Sequence, residues 1–307
     1  MRCLICNNKT TFLDKYKFNV KSDVEYLGDN DIYQCKDCNF SFCHPMPKKI
    51  KLDQFYQKIY RSYGRPHEYD LVDIRKNYKS FKNLDYLNYL EKFINFNEIS
   101  QLFDFGSGTG CLGYLIKTNY EKILINSAES DNNCKKILQE RNYKNYENIV
   151  EIKEKFDLII SLHSLEHLTD LNIINNFKNL EKKNSYIFLE VPNCEFNLSF
   201  KSRPYDSPHL MFFTKESLQK IAKKYSLEIL NLSYCSIPLE ENFKNMSNAK
   251  KKYENWKKGK FKDFSKSLIR KILKKIGIFK TYENSSKKIY QESDKNLSNL
   301  RVLFKVK

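Results

Sequence analysis

The chain has 307 residues, of which 41% are hydrophobic, enough to bury the core of one large domain with a small one beside it. No apolar run reaches the roughly 18 residues that a membrane-spanning helix needs, and residues 1–6 lack the apolar stretch of a signal peptide. We therefore expect a cytoplasmic protein whose nine cysteines bind metal or stay as thiols.

The net charge of +17 is unevenly distributed. Most of it lies in residues 241–307, where lysine and arginine far outnumber the acids. Within this region, residues 264–276 have the pattern of a basic amphipathic helix. Such a region predicts an anionic partner: a phosphorylated small molecule, a nucleic acid or an anionic membrane surface that would hold the chain at the inner face of the membrane.

Two cysteine pairs lie near the N-terminus. Cys3-Leu-Ile-Cys6 and Cys35-Lys-Asp-Cys38 each place two thiols on one tight turn, as tetrahedral zinc requires. The sequence therefore predicts a structural zinc with four cysteine ligands and no open position for chemistry. Cys43 and His44 lie nearby as candidate substitute ligands. The metal would stabilise a ribbon too small to bury its own core.

The next elements are predicted from the spacing of apolar residues. Residues 52–60 and 70–96 have helical spacing, and the chain then alternates strands and helices as in a parallel sheet with helices on both faces. The weakest strand falls at 148–152 or in the Tyr- and Asn-rich segment before it. The other predicted strands are 101–105, 122–128, 156–161, 186–191, 227–232 and 299–306, and the helices are 110–119, 131–141, 170–182 and 214–225.

A glycine turn follows the strand at 101–105. Gly106, Gly108 and Gly110 remove the Cβ atoms that would keep a ligand from the backbone, and the next helix offers free N–H groups at its positive end. Glu129 ends the following strand, where its carboxylate can accept hydrogen bonds from two ribose hydroxyls. These features predict a nucleotide-like cofactor.

The glycine turn could hold a dinucleotide or a different nucleotide-like cofactor. Residues 108–113 formally match the dinucleotide fingerprint G-x-G-x-x-G with an acid about 20 residues further on. The register favours another cofactor, because the turn begins at Gly106, an acid at Asp104 precedes it, and Gly113 already lies in the helix.

A second motif, His163-Ser-Leu-Glu166-His167, follows the strand at 156–161. The string H-x-x-E-H also marks a class of zinc peptidases, but that motif needs one helix through all five residues. Here His163 directly follows an apolar strand, so the peptidase interpretation is disfavoured.

Together these segments resemble a known family. The pattern D-x-G-x-G-x-G resembles motif I of class I S-adenosylmethionine (SAM) methyltransferases, and residues 156–168 closely resemble motif IV of a large group of them. Residues 188–193 and 209–218 agree. With the cysteine pairs and Pro45-Met-Pro47, the chain looks like the zinc-ribbon methyltransferases of bacterial surface-sugar biosynthesis.

The resemblance implies a fold and a cofactor. The fold would be an α/β, Rossmann-like sheet, mostly parallel with an antiparallel last strand, and the cofactors would be SAM and a structural Zn²⁺. The expected domains are a zinc ribbon (1–47), a helical lead-in (48–97), the SAM-binding domain (98–236), a basic helical insertion (237–298) and the final strand (299–307).

The resemblance also assigns roles at the site. Asp104 and the three glycines would approach the methionine end of SAM, Glu129 would hold the ribose, and Glu166 would contact the cofactor or orient a histidine. A sugar hydroxyl is a poor nucleophile, so a base is expected. The candidates share an imidazole that titrates near neutral pH: His163, His167 and His209.

The adenine contact is left open. Enzymes of this type often place an acid or a polar residue after the third strand to meet adenine. Three residues of this chain are candidates for that position: Glu147, Asn148 and Glu151.

The implied reaction is O-methylation of a sugar or of a phosphorylated or nucleotide-linked sugar precursor. N- or C-methylation stays open. RNA methylation is an alternative, although the basic region lacks a clear series of base-stacking aromatics. A third interpretation is a zinc-ribbon binding module on an inactive methyltransferase fold, which the intact glycines and Glu129 disfavour.

Overall fold

A computed structural model describes residues 1–16, 25–58, 81–195, 209–236, 291–293 and 297–306. In chain order the strands are β1 (Thr10–Lys15), β2 (Asp31–Cys35), β3 (Ser41–His44), β4 (Gln101–Phe105), β5 (Leu124–Ala128), β6 (Lys144–Asn145), β7 (Phe156–Leu162), β8 (Glu181–Pro192), β9 (Met211–Phe212), β10 (Leu227–Ser236), β11 (Gln291–Ser293) and β12 (Asn299–Val306). The helices are α1 (Lys49–Lys58), α2 (Phe81–Leu90), α3 (Cys111–Asn119), α4 (Asn132–Glu140), α5 (Asn172–Leu180) and α6 (Lys215–Lys224).

The main sheet has the order β11-β10-β12-β8-β7-β4-β5-β6. The five strands from β8 to β6 run parallel, whereas β12 is antiparallel to both of its neighbours, β8 and β10. Strand order therefore reverses beside β4, the point at which open α/β sheets bind ligands. This confirms the predicted parallel sheet with an antiparallel last strand.

Each face of the sheet carries its own apolar core, because successive residues of a strand point to opposite faces. Ile159 of β7 packs in the core that includes the buried residues of α5 and α6. Its neighbours Leu158 and Ile160 pack on the other face, with α2 and α3. The main strands are thus buried on both sides, which explains their nearly continuous apolar sequences.

Local signals set where the helices begin. Asp131 accepts hydrogen bonds from the backbone N–H groups of Asn133 and Cys134, which caps α4. Thr214 and Ser217 cap α6 reciprocally, each side chain bonding the other's backbone. Helix α3 begins directly after Gly110, whose φ of +67° turns the chain out of β4 and into the helix.

A second, smaller sheet joins the N-terminal segment to the main domain. Its order is β1-β2-β3-β9, all antiparallel. The first three strands come from the predicted ribbon, but β9 comes from residues 211–212, far along the chain. The ribbon is therefore one side of a sheet that the main domain completes.

The structure also corrects details of the predictions. Residues 149–151 form a 3₁₀ turn, so the third strand comes from the Tyr- and Asn-rich segment, as β6. The helix expected at 170–182 ends at Leu180, and β8 begins at Glu181. An unpredicted edge strand, β11, arises within 237–298. The predicted basic helix at 264–276 lies outside the described residues, as does most of the 237–298 insertion. Of the helix expected at 70–96, residues 70–80 lie outside them, and Phe81–Leu90 form α2.

Among the described helices none has the length and apolar character needed to cross a membrane.

Candidate active site

The predicted site residues gather at one edge of the main sheet. The glycine turn follows β4, Glu129 follows β5 and His163 follows β7. Because these three strands are parallel neighbours, their carboxyl ends meet at the same edge. Residues far apart in the sequence therefore line one cleft at this edge, which is here called the cofactor edge.

The three glycines of the turn have different surroundings. All have positive φ, at +67°, +56° and +67°. A Cβ on Gly106 would lie 2.1 Å from the Ser164 Oγ, and one on Gly110 would lie 2.5 Å from the Tyr143 ring. Among the described residues, no atom would lie within 4 Å of a Cβ on Gly108, so this glycine borders open space that a ligand can enter.

Glu129 is fixed by backbone donors. Its Oε2 accepts a hydrogen bond from the Gly108 N–H at 2.7 Å, and its Oε1 accepts from the N–H groups of Ser130 and Asp131, both at 2.8 Å. A carboxylate offers about four acceptor positions, so capacity remains for a ligand hydroxyl. The same side chain thus shapes the glycine turn and presents a charge beside it.

Two more groups of the turn suit a polar, cationic ligand. Burial, with the nearby charge of Glu129, raises the pKa of Asp104 to about 7. The Ser107 Oγ is buried and has no hydrogen-bond partner among the described residues. SAM supplies what this cleft lacks: hydroxyls for Glu129, a cation for the two acids and polar atoms for Ser107. The residues present fit that cofactor.

Two supports of the turn were not predicted. The Arg141 guanidinium donates to the Thr109 carbonyl at 2.8 Å and stacks over the Tyr114 ring. The Tyr143 hydroxyl donates to the Gly110 carbonyl at 2.7 Å. Arg141 follows the last residue of α4, and its pairing with the Thr109 carbonyl depends on the fold rather than on any sequence pattern.

His163 is held between two buried acids. Its Nε2 lies 2.9 Å from the Glu190 Oε1 and its Nδ1 lies 3.6 Å from the Glu166 Oε1. Burial and Lys82 lower its pKa, but the hydrogen bonds to Glu166 and Glu190 outweigh them and the pKa is raised. Since both ring nitrogens face carboxylates, His163 suits a fixed cation better than a proton acceptor. Its predicted role as base stays a prediction and is the weakest of the three.

Glu166, His167 and His209 form a second group, here called the Glu166 cluster. One ligand-type atom from each lies within 4.8 Å of the others, and the two imidazole rings are 4.9 Å apart, edge to face. Burial raises the pKa of Glu166, but the His163 hydrogen bond and the nearby histidines lower it to about 2. The structure therefore brings an ionised carboxylate and two imidazoles together beside the cofactor edge.

The ribbon sheet positions His209. The His209 N–H donates to the Tyr16 hydroxyl at 3.0 Å, and its carbonyl accepts from the Cys43 thiol at 3.7 Å. The next residue, Leu210, bonds through its N–H to the Glu166 carbonyl at 2.7 Å and through its carbonyl to the Cys43 N–H at 2.9 Å. The N-terminal segment thus forms one wall of the site.

The four N-terminal cysteines cluster as predicted. Sulfur–sulfur distances are 3.6 Å for Cys3–Cys38, 3.5 Å for Cys6–Cys35 and 3.8 Å for Cys6–Cys38. Zinc–sulfur bonds of about 2.3 Å at tetrahedral angles place sulfurs about 3.8 Å apart. The three distances are close to that spacing, so the cluster suits a tetrahedral ion. Neither Cys43 nor His44 is part of it.

Comparison with known families decides the class. A family model described as a methyltransferase domain matches residues 52–232, more than half of the chain. The chain belongs to this methyltransferase domain family. It is a SAM-dependent methyltransferase, and SAM rather than a dinucleotide is its cofactor. The local backbone also excludes the peptidase interpretation, which needs one helix through residues 163–167. His163 has φ +53° and precedes a short 3₁₀ turn at 165–167.

Several solved structures are similar to the chain. Coclaurine N-methyltransferase bound to N-methylheliamine and S-adenosylhomocysteine (SAH) has 14% identity and a TM-score of 0.47, covering 73% of this chain and 72% of that one. The plantazolicin methyltransferase BamL, in complex with a triazolic desmethylPZN analog and SAH, has 12% identity and a TM-score of 0.47, covering 83% of this chain and 94% of that one. An O-methyltransferase of a trans-AT PKS multienzyme from Brevibacillus brevis, in complex with SAH, has 13% identity and a TM-score of 0.44, covering 81% of this chain and 79% of that one. No curated protein matches the sequence.

The three residues considered for the adenine contact all interact with other groups of the protein. Glu147 is exposed and pairs with Lys135 at 2.7 Å. Asn148 caps the 3₁₀ turn and donates to Glu151 at 3.0 Å. All three side chains already have structural partners.

Proposed function

We propose that the enzyme transfers the methyl group of SAM to a hydroxyl of a sugar, in a phosphorylated or nucleotide-linked precursor of a bacterial surface polysaccharide. The observation that carries the proposal is the Glu166 cluster beside the cofactor edge, because a hydroxyl acceptor needs a group that promotes loss of its proton. The strongly basic region 241–307 supports an anionic acceptor.

The chain's residues would hold the cofactor as their chemistry suggests. Glu129 would accept from the ribose hydroxyls, Gly108 would let the backbone approach, and Asp104 would lie near the methionine end. SAM supplies a methyl group already activated by its sulfonium. The acceptor oxygen forms the new bond to carbon, the carbon–sulfur bond breaks, and its electron pair stays on sulfur.

The Glu166 cluster would promote loss of the hydroxyl proton. His167 and His209 are its imidazoles, and the ionised Glu166 stabilises positive charge beside them. His163, held between Glu190 and Glu166, would keep Glu166 in place rather than accept the proton.

A structural zinc would occupy the four-cysteine cluster. The sulfur spacing supports it, and four thiolates would fill the coordination sphere, so this ion would take no part in the chemistry. Its role would be to hold the ribbon sheet, and through it His209.

The test is transfer of a trideuteromethyl group from labelled SAM, detected by mass spectrometry. Nucleotide-linked sugars and total RNA are offered as acceptors. The proposal predicts label on a sugar hydroxyl, with turnover falling more than a hundredfold in His209→Ala while SAH affinity is kept. Label on RNA, on a nitrogen or on a carbon would replace the proposed acceptor. Full turnover in His209→Ala, His167→Ala and His163→Ala would remove the proton-acceptor role.

A further inference from the structure

We propose that the Glu166 cluster binds one divalent cation of the first transition row, distinct from the zinc expected at the cysteines. The proposal rests on the proposed function in one respect: the cation would act on the acceptor hydroxyl. Its binding, however, follows from the residues alone and can be measured without any acceptor.

The first argument is the donor set. Glu166 offers a carboxylate oxygen and His167 and His209 each offer an imidazole nitrogen, all within 4.8 Å of one another. Ligand atoms bound to one such cation at about 2.1 Å lie about 3 Å apart, so closure requires shifts of about 1–2 Å. Rotation of the side chains supplies movements of this size without displacing the backbone.

The second argument is an unsatisfied acceptor. Glu166 is 1% exposed, and its Oε2 has no hydrogen-bond partner among the described residues. The other oxygen, Oε1, lies 3.6 Å from the His163 Nδ1 and 3.9 Å from the His167 Nε2. A buried carboxylate oxygen without a donor is costly. A cation in the cluster would remove that cost.

The third argument is rigidity. Glu166 and His167 lie on the 3₁₀ turn at 165–167, and His209 lies just before β9. The Leu210 N–H joins the two segments by donating to the Glu166 carbonyl at 2.7 Å. Tyr16 fixes the backbone N–H of His209 from the ribbon side. Ligands from two segments are thus held in register before any ion binds, as a metal site requires.

The ligand chemistry selects the class of cation. One carboxylate and two imidazoles suit manganese, iron, cobalt or zinc and leave positions open for a substrate oxygen. The four thiolates of the ribbon are softer ligands that favour zinc. Consequently a hard probe such as Mn²⁺ reports on the Glu166 cluster rather than on the cysteines.

A bound cation changes how the cluster promotes proton loss. Glu166, His167 and His209 would hold the ion, so the two imidazoles would be ligands rather than proton acceptors. The ion would supply Lewis-acid activation of the acceptor hydroxyl, whose proton would pass to solvent. Methyl transfer then balances as before, with the carbon–sulfur electron pair left on sulfur.

The experiment titrates Mn²⁺ into the zinc-containing protein and follows binding by electron paramagnetic resonance and water-proton relaxation. The variants are Glu166→Gln and His209→Ala. The matched control is Glu181→Gln, because the Glu181 Oε2 is also buried without a hydrogen-bond partner among the described residues but lies where β8 begins, at the opposite edge of the sheet. SAH affinity and melting temperature are measured for every variant.

The proposal predicts one Mn²⁺ per wild-type chain, binding at least tenfold weaker in Glu166→Gln and His209→Ala, and unchanged binding in Glu181→Gln. Equal Mn²⁺ binding in wild type and both cluster variants would overturn it, as would a wild type that binds SAH but no Mn²⁺. In that last case the proposed methyl transfer would still stand. Failure of acceptor methylation with Mn²⁺ bound would instead reject the proposed acceptor.

Discussion

Arg301 and Glu190 lie directly opposite each other on the antiparallel strands β12 and β8, with the Arg301 Nε 2.9 Å from the Glu190 Oε2. Both are almost fully buried. Glu190 also contacts His163, so this pair connects the last strand of the chain to the edge that holds the site. Burial raises the pKa of Glu190, but the Arg301 charge and the His163 hydrogen bond lower it well below the usual range.

Arg301→Met should destabilise the fold by about 3–5 kcal/mol, because it leaves the Glu190 carboxylate buried without its main cation. The control is Lys305→Met on the same strand, where the side chain is only half-buried. Urea unfolding followed by circular dichroism measures both. A loss in Arg301→Met no larger than in Lys305→Met would show that the pair does not stabilise the sheet.

Substitutions at two glycines of the turn should separate binding from stability. Gly108→Ala adds a Cβ that meets no atom of the part of the chain that the structure describes, so SAH affinity should fall more than tenfold with a modest loss of stability from the strained φ of +56°. Gly110→Ala places its Cβ 2.6 Å from Leu138 and 2.5 Å from Tyr143, so stability should fall further. Calorimetry and thermal melting measure the two effects. The same ranking for both properties would contradict the assignment.

Asp104→Asn should stabilise the cofactor-free protein more at pH 8 than at pH 5. Folding raises the pKa of Asp104 from 3.8 to about 7, so between these values the folded chain holds a proton that the unfolded chain has released. The free energy of unfolding therefore falls as pH rises from about 4 to 7. The amide of the variant would carry no charge at either pH. An equal change in melting temperature at both pH values would contradict this account.

Removing zinc should slow methyl transfer more than it weakens SAH binding. Cys38→Ser takes away one ligand of the cluster, and the ribbon sheet holds His209 but not Glu129. The control, Cys134→Ser, changes a buried cysteine outside the cluster. Elemental analysis should find one zinc fewer per chain in Cys38→Ser than in wild type. Wild-type protein with the expected fold but without zinc would contradict the structural-metal prediction.

The cofactor edge could be predicted from the sequence because its signals are local. The glycine turn follows a short apolar strand, and Glu129 closes the next one, so strand periodicity alone places both at the same edge. The cysteine pairs were equally local, because each lies on one turn.

The remaining features depend on non-local pairing. Glu190 and Arg301 are 111 positions apart, and each appears in the sequence only as a charge within an apolar strand. Such a charge needs a buried partner, but the register of β8 and β12 determines which one. The position of His209 depends on β9 joining the ribbon sheet. A strand of two residues is too short to show a periodicity that would predict this pairing.

The central claim is that Glu129 and the glycine turn hold SAM. The most direct measurement is calorimetric titration of SAH, beside NAD, into wild type, Glu129→Gln and the exposed control Glu147→Gln. The account predicts micromolar SAH binding in wild type and in Glu147→Gln, at least tenfold weaker binding in Glu129→Gln because a charged acceptor is lost, and no NAD binding. Unchanged SAH affinity in Glu129→Gln, or NAD binding in place of SAH, would contradict it.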